Sequence, residues 1–285
     1  MNLKKLLQPL LIILLLLFSF YYTNKSIEVI RETDPIMKQI KTTKKKYTTK
    51  SENARIIGDK IIPGKMGKEI DYEKSYTRMK QYGSYNEVLT SLKEVAPTVS
   101  IDDYYDKFIV SGNKEKRSIA FVFKIDSKTT PQNITNILLE KNIPATLFID
   151  GLYIENNSEY IKSLSSFEIE LLSYDNKYEE MYFSSALNYM NSLTGKNSKY
   201  CYADYDNKEV IELCSKLKLH TIIPTIKVGN HPYSEIKEKL TNSAIISIPI
   251  NQTSEIELPT VITYLKSKGY TFLTLEELLS ESTEK

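Results

Sequence analysis

The sequence is poor in the residues that most often build metal sites and nucleic-acid interfaces. It has two histidines, two cysteines and only four arginines among 38 basic residues. So few histidines and cysteines give no Cys/His cluster of the kind that holds structural zinc. The scarcity of arginine removes the planar guanidinium groups that contact phosphates and bases at two points. With a formal net charge of only +2, the composition indicates no nucleic-acid partner.

The two cysteines, Cys201 and Cys214, are too few for a disulfide framework but enough for one bridge. Cys214 falls in a helical apolar pattern with Ile211 and Leu217, where a buried thiol is the common outcome. The pattern therefore favours free thiols, and a single disulfide is the alternative.

The sequence also lacks a Gly-x-Ser-x-Gly nucleophile elbow, which argues against serine-type catalysis. His220 stands at a predicted helix-to-strand junction and is interpreted as structural. His231 and Glu235 could both bind a metal. Their segment, GNHPYSE, fits better as the entry loop of a helix from about Tyr233 to Leu240. A rebuilt metal site around His231 is the less favoured alternative.

A long hydrophobic run lies near the N-terminus. Lys4 and Lys5 precede an apolar stretch from Leu10 to Tyr22, and no small-residue cleavage site follows it. The aromatic residues that end the run suit a membrane interface. We therefore expect residues 1–22 to be an uncleaved single-pass anchor in the cell membrane, with the C-terminal domain outside the cytoplasm. A cleaved signal peptide is the alternative.

Two segments of different composition follow the anchor. Residues 23–54 are rich in Lys and Thr and show little apolar periodicity, which predicts a flexible tether. Residues 55–116 carry short mixed signals, including a helix from Tyr72 to Gln81 and a strand near 108–110. We interpret 55–116 as a small β-rich module.

Regular alternation begins near residue 117 and defines a predicted domain over 117–285. Seven apolar, β-rich runs are separated by stretches that can be helical, and they lie at 118–125, 145–149, 168–172, 200–203, 221–226, 244–250 and 271–274. Such alternation predicts a parallel α/β fold, either a barrel or a doubly wound sheet. In both folds ligands lie at the carboxyl ends of the strands.

Three stretches of this domain resemble the polysaccharide deacetylase family, the NodB homology domain of the carbohydrate esterases. They are LLEKNIPATLFIDG, SLTGKNSKY and LPTVITYLKSKGYTFLTLEELL, at 138–151, 192–200 and 258–279. The resemblance implies an irregular seven-stranded (β/α) barrel of the polysaccharide deacetylase type. It also implies metal-dependent removal of acetyl groups from a glycan, with a divalent ion such as zinc. The composition fits a degenerate member from a low-GC bacterium.

The resemblance implies where the catalytic groups would lie, and those positions are altered. Lys124 stands at the position of the base, and Ile125 at that of the aspartate that binds the metal. Leu172 and Asn176 replace two ligand histidines, and Pro249 falls at the general acid. Because these side chains supply at most one weak amide ligand, we expect no metal, no cofactor and no catalytic residues.

A vestigial ligand cleft is predicted at the same mouth, from Asp126, Tyr174, Asp175, Tyr202 and Asp204. Tyrosine rings there could stack on sugars, whereas the carboxylates could equally be solvated loop residues. We therefore expect a membrane-anchored, catalytically inactive deacetylase-like protein that binds cell-wall glycan or a surface protein. The alternatives are an active deacetylase with a reorganised site and a protein-interaction scaffold at the cell surface.

Overall fold

The structure is a computed structural model, which describes residues 3–113, 115 and 117–282, with side chains from residue 12 onward. The side chains of Lys4 and Lys5 in the predicted anchor lie outside the described part, as do residues 1–2, 114, 116 and 283–285.

The helices described are α1 (Leu3–Thr33), α2 (Pro35–Thr42), α3 (Lys44–Tyr47), α4 (Tyr72–Tyr82), α5 (Gln132–Glu140), α6 (Gly151–Asn156), α7 (Ser158–Ser163), α8 (Glu180–Thr194), α9 (Lys208–Lys216), α10 (Pro232–Lys239), α11 (Gln252–Ser267) and α12 (Leu275–Leu279). Short 3-10 helices lie at Glu87–Leu89 and Ile101–Asp103. The strands are β1 (Arg55–Ile57), β2 (Lys60–Ile62), β3 (Gly67–Ile70), β4 (Leu92–Val95), β5 (Phe108–Ile109), β6 (Ser118–Ile125), β7 (Thr146–Ile149), β8 (Glu168–Leu171), β9 (Tyr200–Tyr202), β10 (His220–Ile222), β11 (Ile226–Lys227), β12 (Ala244–Ser247) and β13 (Thr271–Leu273).

The chain divides into two compact units. Unit 1 comprises residues 1–50 and 67–95, and unit 2 comprises residues 51–66 and 96–285. This division differs from the predicted module at 55–116, because β1, β2 and β5 all pair within a larger sheet of unit 2. Strands of two or three residues need the partners of a larger sheet to be stable, so they do not form a module of their own.

Unit 1 is built on α2, α4 and the antiparallel pair of β3 and β4. Ile40 of α2 is buried with Ile70 and Met79 in one cluster, and Met37 is buried as well. Residues 35–42 and 44–47, expected to be part of a flexible tether, are helical, and α2 is packed against the rest of unit 1. The physical reason is the spacing of Met37 and Ile40, which puts both on one face of a short amphipathic helix.

The longest helix of unit 1 is α1, whose segment from Ile12 to Thr33 is long and apolar enough to cross a membrane. The helix continues without a break through residues 23–33, where a flexible tether was expected. Near its end, Arg31 pairs with Glu73 of α4 at 3.1 Å. Asp34 then caps α2 and accepts hydrogen bonds from Tyr76 and Lys80 of α4.

Unit 2 contains two mainly parallel sheets. One has the order β11-β12-β6-β7-β8, with β13 also pairing with β6, and the other has the order β1-β2-β5-β10-β9. In the described residues of these sheets only β1 and β2 pair antiparallel. The parallel α/β arrangement predicted from the seven apolar runs is confirmed.

A closed seven-stranded barrel is not confirmed. The predicted run at 221–226 divides into β10 and β11 around Pro224, because proline has no backbone N–H to continue a ladder. As a result β10 pairs with β9 and β5, whereas β11 pairs with β12. The described ladders also leave β8 and β9 as sheet edges that do not pair with each other.

Alternation along β6 separates two buried clusters. Ile119, Phe121, Phe123 and Ile125 belong to a large cluster that includes residues of the helices, and Ala120 and Val122 belong to a second cluster on the other face. Since side chains alternate along a strand, the next residue on the second face is Lys124. Its position near the carboxyl end of β6 puts a charged side chain at the end of a face otherwise formed by Ser118, Ala120 and Val122.

Cys201 of β9 and Cys214 of α9 form a disulfide, with their Cα atoms 6.4 Å apart. The expectation of two free thiols was wrong. The apolar periodicity of α9 showed correctly that Cys214 is buried, but it carried no information that Cys201 lies opposite on the preceding strand.

Candidate functional site

The candidate site lies at the carboxyl ends of the strands in unit 2, and a three-residue ion cluster occupies its centre. Lys124 Nζ lies 2.8 Å from Asp204 Oδ2, and Lys227 Nζ lies 2.6 Å from Asp204 Oδ1. Lys124 lies near the end of β6, Lys227 ends β11, and Asp204 follows β9 by two residues, so three strands each bring one charge to the mouth. Burial raises the pKa of Asp204, but the hydrogen bonds from Lys124 and Lys227 outweigh it and hold the pKa below its ordinary value.

Tyr202 forms the buried floor of this cluster. Its hydroxyl lies 3.2 Å from Asp204 Oδ1 and 3.0 Å from Ser247 Oγ, so it can donate to the carboxylate and accept from the serine. The Lys124 ammonium also lies 5.0 Å from the centre of the Tyr202 ring, within the range of a cation–π contact. Burial raises the pKa of Tyr202, which therefore stays a neutral phenol.

Ile125 and Leu172 are both buried, but in different surroundings. Ile125 is fully buried in the large cluster with Phe123 and Ile149. Leu172 lies in the second cluster with Phe148 and Tyr202. The two side chains therefore do not close over one shared space, as a common vestigial pocket would require.

Asp150 organises the loop that follows β8. This carboxylate is almost completely buried, caps α6 through Leu152 N, and accepts a 2.6 Å hydrogen bond from Ser173 Oγ. The backbone N–H groups of Asp175 and Asn176 also donate to it, each at 3.1 Å. Both of those residues have positive φ, of 49° and 58°, in the tight turn between Tyr174 and Lys177. Asn176, at a predicted ligand position, thus meets Asp150 through its backbone while its side chain is exposed.

The remaining predicted residues form no hydrogen bond or ion pair with the ion cluster in the part of the chain that the structure describes. Asp126 accepts from Lys128 N at 2.9 Å in a local turn after β6, and Pro249 is half-buried beyond β12. The side chain of Asp175 is exposed and 3.9 Å from that of Lys177. Of the predicted cleft, the structure brings Tyr202 and Asp204 together, with Lys124 of the implied base position beside them, and does not join Asp126 or Asp175 to them.

Tyrosines line the side of the mouth next to the Asp150 loop. The ring of Tyr174 stacks on that of Tyr182 at 5.7 Å, and Tyr182 is exposed at the start of α8. Tyr178 is half-buried nearby: burial, and after it the charge of Asp204, raises its pKa to about 12. Tyr205, two-thirds exposed, follows β9 on the same side.

The segment around His231 forms the entry of α10, as predicted. Glu235 accepts from the backbone N–H groups of Gly229, at 3.1 Å, and His231, at 3.2 Å. These contacts, with a further ion pair to Lys239, hold its pKa below the ordinary value although burial opposes the shift.

The donor set at the predicted metal positions does not fit a catalytic metal. Ile125 and Leu172 offer hydrocarbon, and Lys124 presents hydrogen-bond donors and no acceptor. Within the described residues no group of three His, Cys, Asp or Glu side chains could hold a metal ion. No catalytic step through a metal follows from this arrangement.

Sequence reasoning missed Lys227 and Asp150. Asp150 had a usable signal, since an Asp-Gly pair directly after a buried strand marks a helix N-cap at the mouth. Lys227 had none, because its approach to Asp204 depends on the break at Pro224 and the pairing of β11 with β12.

Comparisons with known proteins agree with this architecture. No family profile matches the chain. The curated protein YlxY of Bacillus subtilis, named as uncharacterized, is 25% identical over an alignment of 281 positions, which covers 90% of this chain and 87% of that protein. Wild-type BA3943 of Bacillus anthracis, described as a CE4 family pseudoenzyme, matches in structure with a TM-score of 0.67 and 22% identity, over 88% of this chain and 96% of that one. The chain has the CE4 carbohydrate esterase fold.

A second CE4 structure, PdaA of Bacillus subtilis, described as a family 4 carbohydrate esterase, matches with a TM-score of 0.52 and 18% identity, over 62% of this chain and 86% of that one. The resemblance to polysaccharide deacetylases predicted from three sequence stretches is confirmed at the level of the fold. In the CE4 fold of this chain, an ion cluster and two apolar side chains stand where the resemblance implied a metal centre.

Proposed function

We propose that this chain is a membrane-anchored, catalytically inactive member of the CE4 deacetylases, a pseudoenzyme with its C-terminal part outside the cytoplasm. The observation that carries the proposal is the Lys124–Asp204–Lys227 cluster. It neutralises the carboxylate at the centre of the mouth and puts an ammonium at the position of the base. BA3943, whose fold is similar, is itself described as a pseudoenzyme, and a variant of it as having restored enzymatic activity.

Inactivity is tested with the purified full chain and N-acetylglucosamine oligomers, by measuring released acetate with and without added zinc. An active family 4 esterase serves as the positive control. We expect no acetate above the enzyme-free rate and no stoichiometric zinc, cobalt or nickel by elemental analysis. Acetate release that depends on one tightly held metal per chain would instead support the active deacetylase with a reorganised site.

We propose that the retained role is binding of cell-wall glycan at the tyrosine-lined side of the mouth. Half-buried Tyr174 stacks on the exposed Tyr182, and Tyr205 adds a second exposed ring. Aromatic faces bind the apolar faces of sugar rings, and the neighbouring carboxylates can accept from sugar hydroxyls.

Glycan binding is tested by co-sedimentation of the full chain with insoluble peptidoglycan. Replacing Tyr182 and Tyr205 with Ala should reduce the bound fraction several-fold. Tyr189→Ala is the matched control, because Tyr189 is also an exposed tyrosine of α8 and lies about two helical turns after Tyr182. Equal binding by all three proteins would exclude the tyrosine-lined side. If the wild-type chain does not sediment, a surface protein partner becomes the better hypothesis.

A further inference from the structure

The segment next to the predicted membrane span carries a net positive charge, whereas the rest of the chain that follows it is acidic. Residues 23–50 contain eight basic and three acidic residues, a net charge of +5, whereas residues 51–285 carry a net charge of −5. A positive segment beside an otherwise acidic polypeptide is the pattern expected of a segment that contacts an anionic surface.

The helices of unit 1 hold these lysines in place. The side chains of Met37 and Ile40 are buried on one side of α2, and Lys38 and Lys41 are exposed. The next helix, α3, presents Lys44, Lys45 and Lys46, all exposed. These lysines therefore belong to a folded surface and not to a flexible tether.

Only some of these lysines have acidic partners. Lys41 pairs with Glu32, and Lys46 pairs with Glu87. Within the part of the chain that the structure describes, Lys38, Lys44 and Lys45 form no ion pair. We refer to these three residues as the free lysines of unit 1.

The helix α1 sets the distance between these lysines and the membrane. Its apolar character extends to the exposed side chains of Ile27 and Ile30, and α2 starts two residues after α1 ends. Even if the membrane surface lies at Tyr22, the helix rises only about 17 Å from there to Thr33, at about 1.5 Å per residue. If Ile27 and Ile30 enter the interface, the distance from the membrane surface to Thr33 falls within about one Debye length, which is roughly 8 Å at physiological salt.

We propose that Lys38, Lys44 and Lys45 bind the anionic phospholipid headgroups of the membrane that holds α1. The proposal rests on the membrane anchoring proposed above and is independent of whether the mouth is catalytic. It assigns to unit 1 a membrane-surface contact that lies outside the CE4 mouth.

The test uses the full chain in lipid nanodiscs, either of phosphatidylcholine alone or with about one third phosphatidylglycerol, a fraction chosen to give a clearly negative surface. Amide hydrogen exchange is followed by mass spectrometry in peptides from residues 36–47. We expect exchange there to slow several-fold in the anionic discs and to recover in 0.5 M NaCl, a salt concentration at which screening is strong. Peptides of unit 2 serve as the internal reference.

Two matched triple variants make the result specific. Lys38→Gln/Lys44→Gln/Lys45→Gln should lose the difference between the two kinds of disc. Lys237→Gln/Lys266→Gln/Lys268→Gln removes three exposed lysines of unit 2 and should keep it. Thermal melts of both variants check that each is folded.

Three results would overturn the proposal. Exchange that is equal in both kinds of disc would exclude a lipid contact of the lysines. Equal slowing by soluble polyphosphate in phosphatidylcholine discs would assign the lysines to a soluble polyanion. Failure of the chain to enter discs would remove the anchor itself, while acetate release and metal content would still report on the CE4 mouth separately.

Discussion

Lys124 and Ile125 are neighbours in the sequence, yet the pleat of β6 sends them to opposite faces. Lys124 reaches Asp204 at the mouth, and Ile125 enters the large cluster beneath the helices. The two replacements at the implied catalytic positions therefore act differently: one neutralises the mouth, and the other fills the core. This distinction decides how each position should respond to substitution.

Replacing Ile125 with Asp, together with Leu172→His, should destabilise the fold without restoring activity. Ile125 is fully buried, so an aspartate there places an unpaired carboxylate among hydrocarbon, at a cost of about 3 kcal/mol or more. Acetate release should stay absent because Lys124 still stands at the position of the base. Thermal or urea unfolding with and without zinc, beside an acetate assay, checks both parts.

Ile125→Val is the control for that substitution and should cost only about 1 kcal/mol. Unchanged stability of the double variant combined with acetate release would show that the space is open and that a metal enters it.

Glu170 makes the stability of the fold depend on pH. It lies in β8, close to the start of β9 and away from the mouth. Burial, and then the charge of Glu168, raises the pKa of Glu170 to about 8. The donors Ser198 Oγ, Lys199 N and Tyr200 N all go to its Oε2, which leaves Oε1 to carry the proton. These bonds join the edge strand β8 to the start of β9, where no ladder connects the two sheets.

Because the folded-state pKa of Glu170 lies above its ordinary value of 4.5, the folded chain holds a proton that the unfolded chain releases. Stability from this group is therefore complete below about pH 4.5 and is lost as the pH rises to about 8, by up to about 1.4 kcal/mol per unit. Glu170→Gln should remove that slope. The check is the difference in unfolding free energy between wild type and variant from pH 5 to 9.

The check uses the difference in unfolding free energy between wild type and Glu170→Gln because His220 makes a pH-dependent contribution of the opposite sign. That contribution is present in both proteins and cancels in the difference. Burial lowers the pKa of His220 despite its contact with Asp102, so its contribution increases with pH through the ordinary range of histidine. Parallel curves for wild type and Glu170→Gln would contradict a proton held by Glu170 in the folded chain.

At the scale of elements, the disulfide ties β9 to α9. It links residues 13 apart in the sequence, and closing a loop of this size in the unfolded chain is worth about 3 kcal/mol. We expect the Cys201→Ser/Cys214→Ser variant to lose about 2 to 4 kcal/mol of stability. Thermal melts with and without a reductant should show a drop for the wild type only. A reductant that changes neither protein would mean that the thiols are free.

Some elements could be predicted from the sequence and others could not, for physical reasons. Seven apolar runs predicted the strands of the CE4 fold because buried parallel strands are continuously apolar and need no knowledge of distant partners. The breaks that open the barrel depend on Pro224 and on which edges meet, which local patterns do not contain. In the same way Asp204 was identified as a mouth residue, but its two lysine partners come from strands far apart in the sequence.

The amphipathic character of α2 was overlooked for a different reason. Its eight residues include only two buried apolar side chains, Met37 and Ile40, within a Lys- and Thr-rich stretch. Composition averaged over residues 23–54 hid this local pattern, although its Asp-Pro start is a helix signal. The reach of about 100 Å that a fully extended tether would allow is therefore not available to this chain.

At the scale of the whole molecule, the proposed membrane anchoring rests on the continuous helix α1. Its apolar part is fully exposed in the fold, so it gains burial only by entering a bilayer or binding another surface. We expect the chain to stay with membranes after carbonate washing, with a mature N-terminus that precedes Tyr22. Protease added outside intact cells should degrade unit 2, because Lys4 and Lys5 favour a cytoplasmic N-terminus.

Replacing Leu14 and Leu16 with Lys should release the chain, since each charge at the centre of a span costs about 3 kcal/mol, whereas Ser19→Leu, the control, should leave it retained. Recovery of the wild-type chain in the carbonate supernatant, or of a chain that begins beyond Tyr22, would exclude a retained anchor.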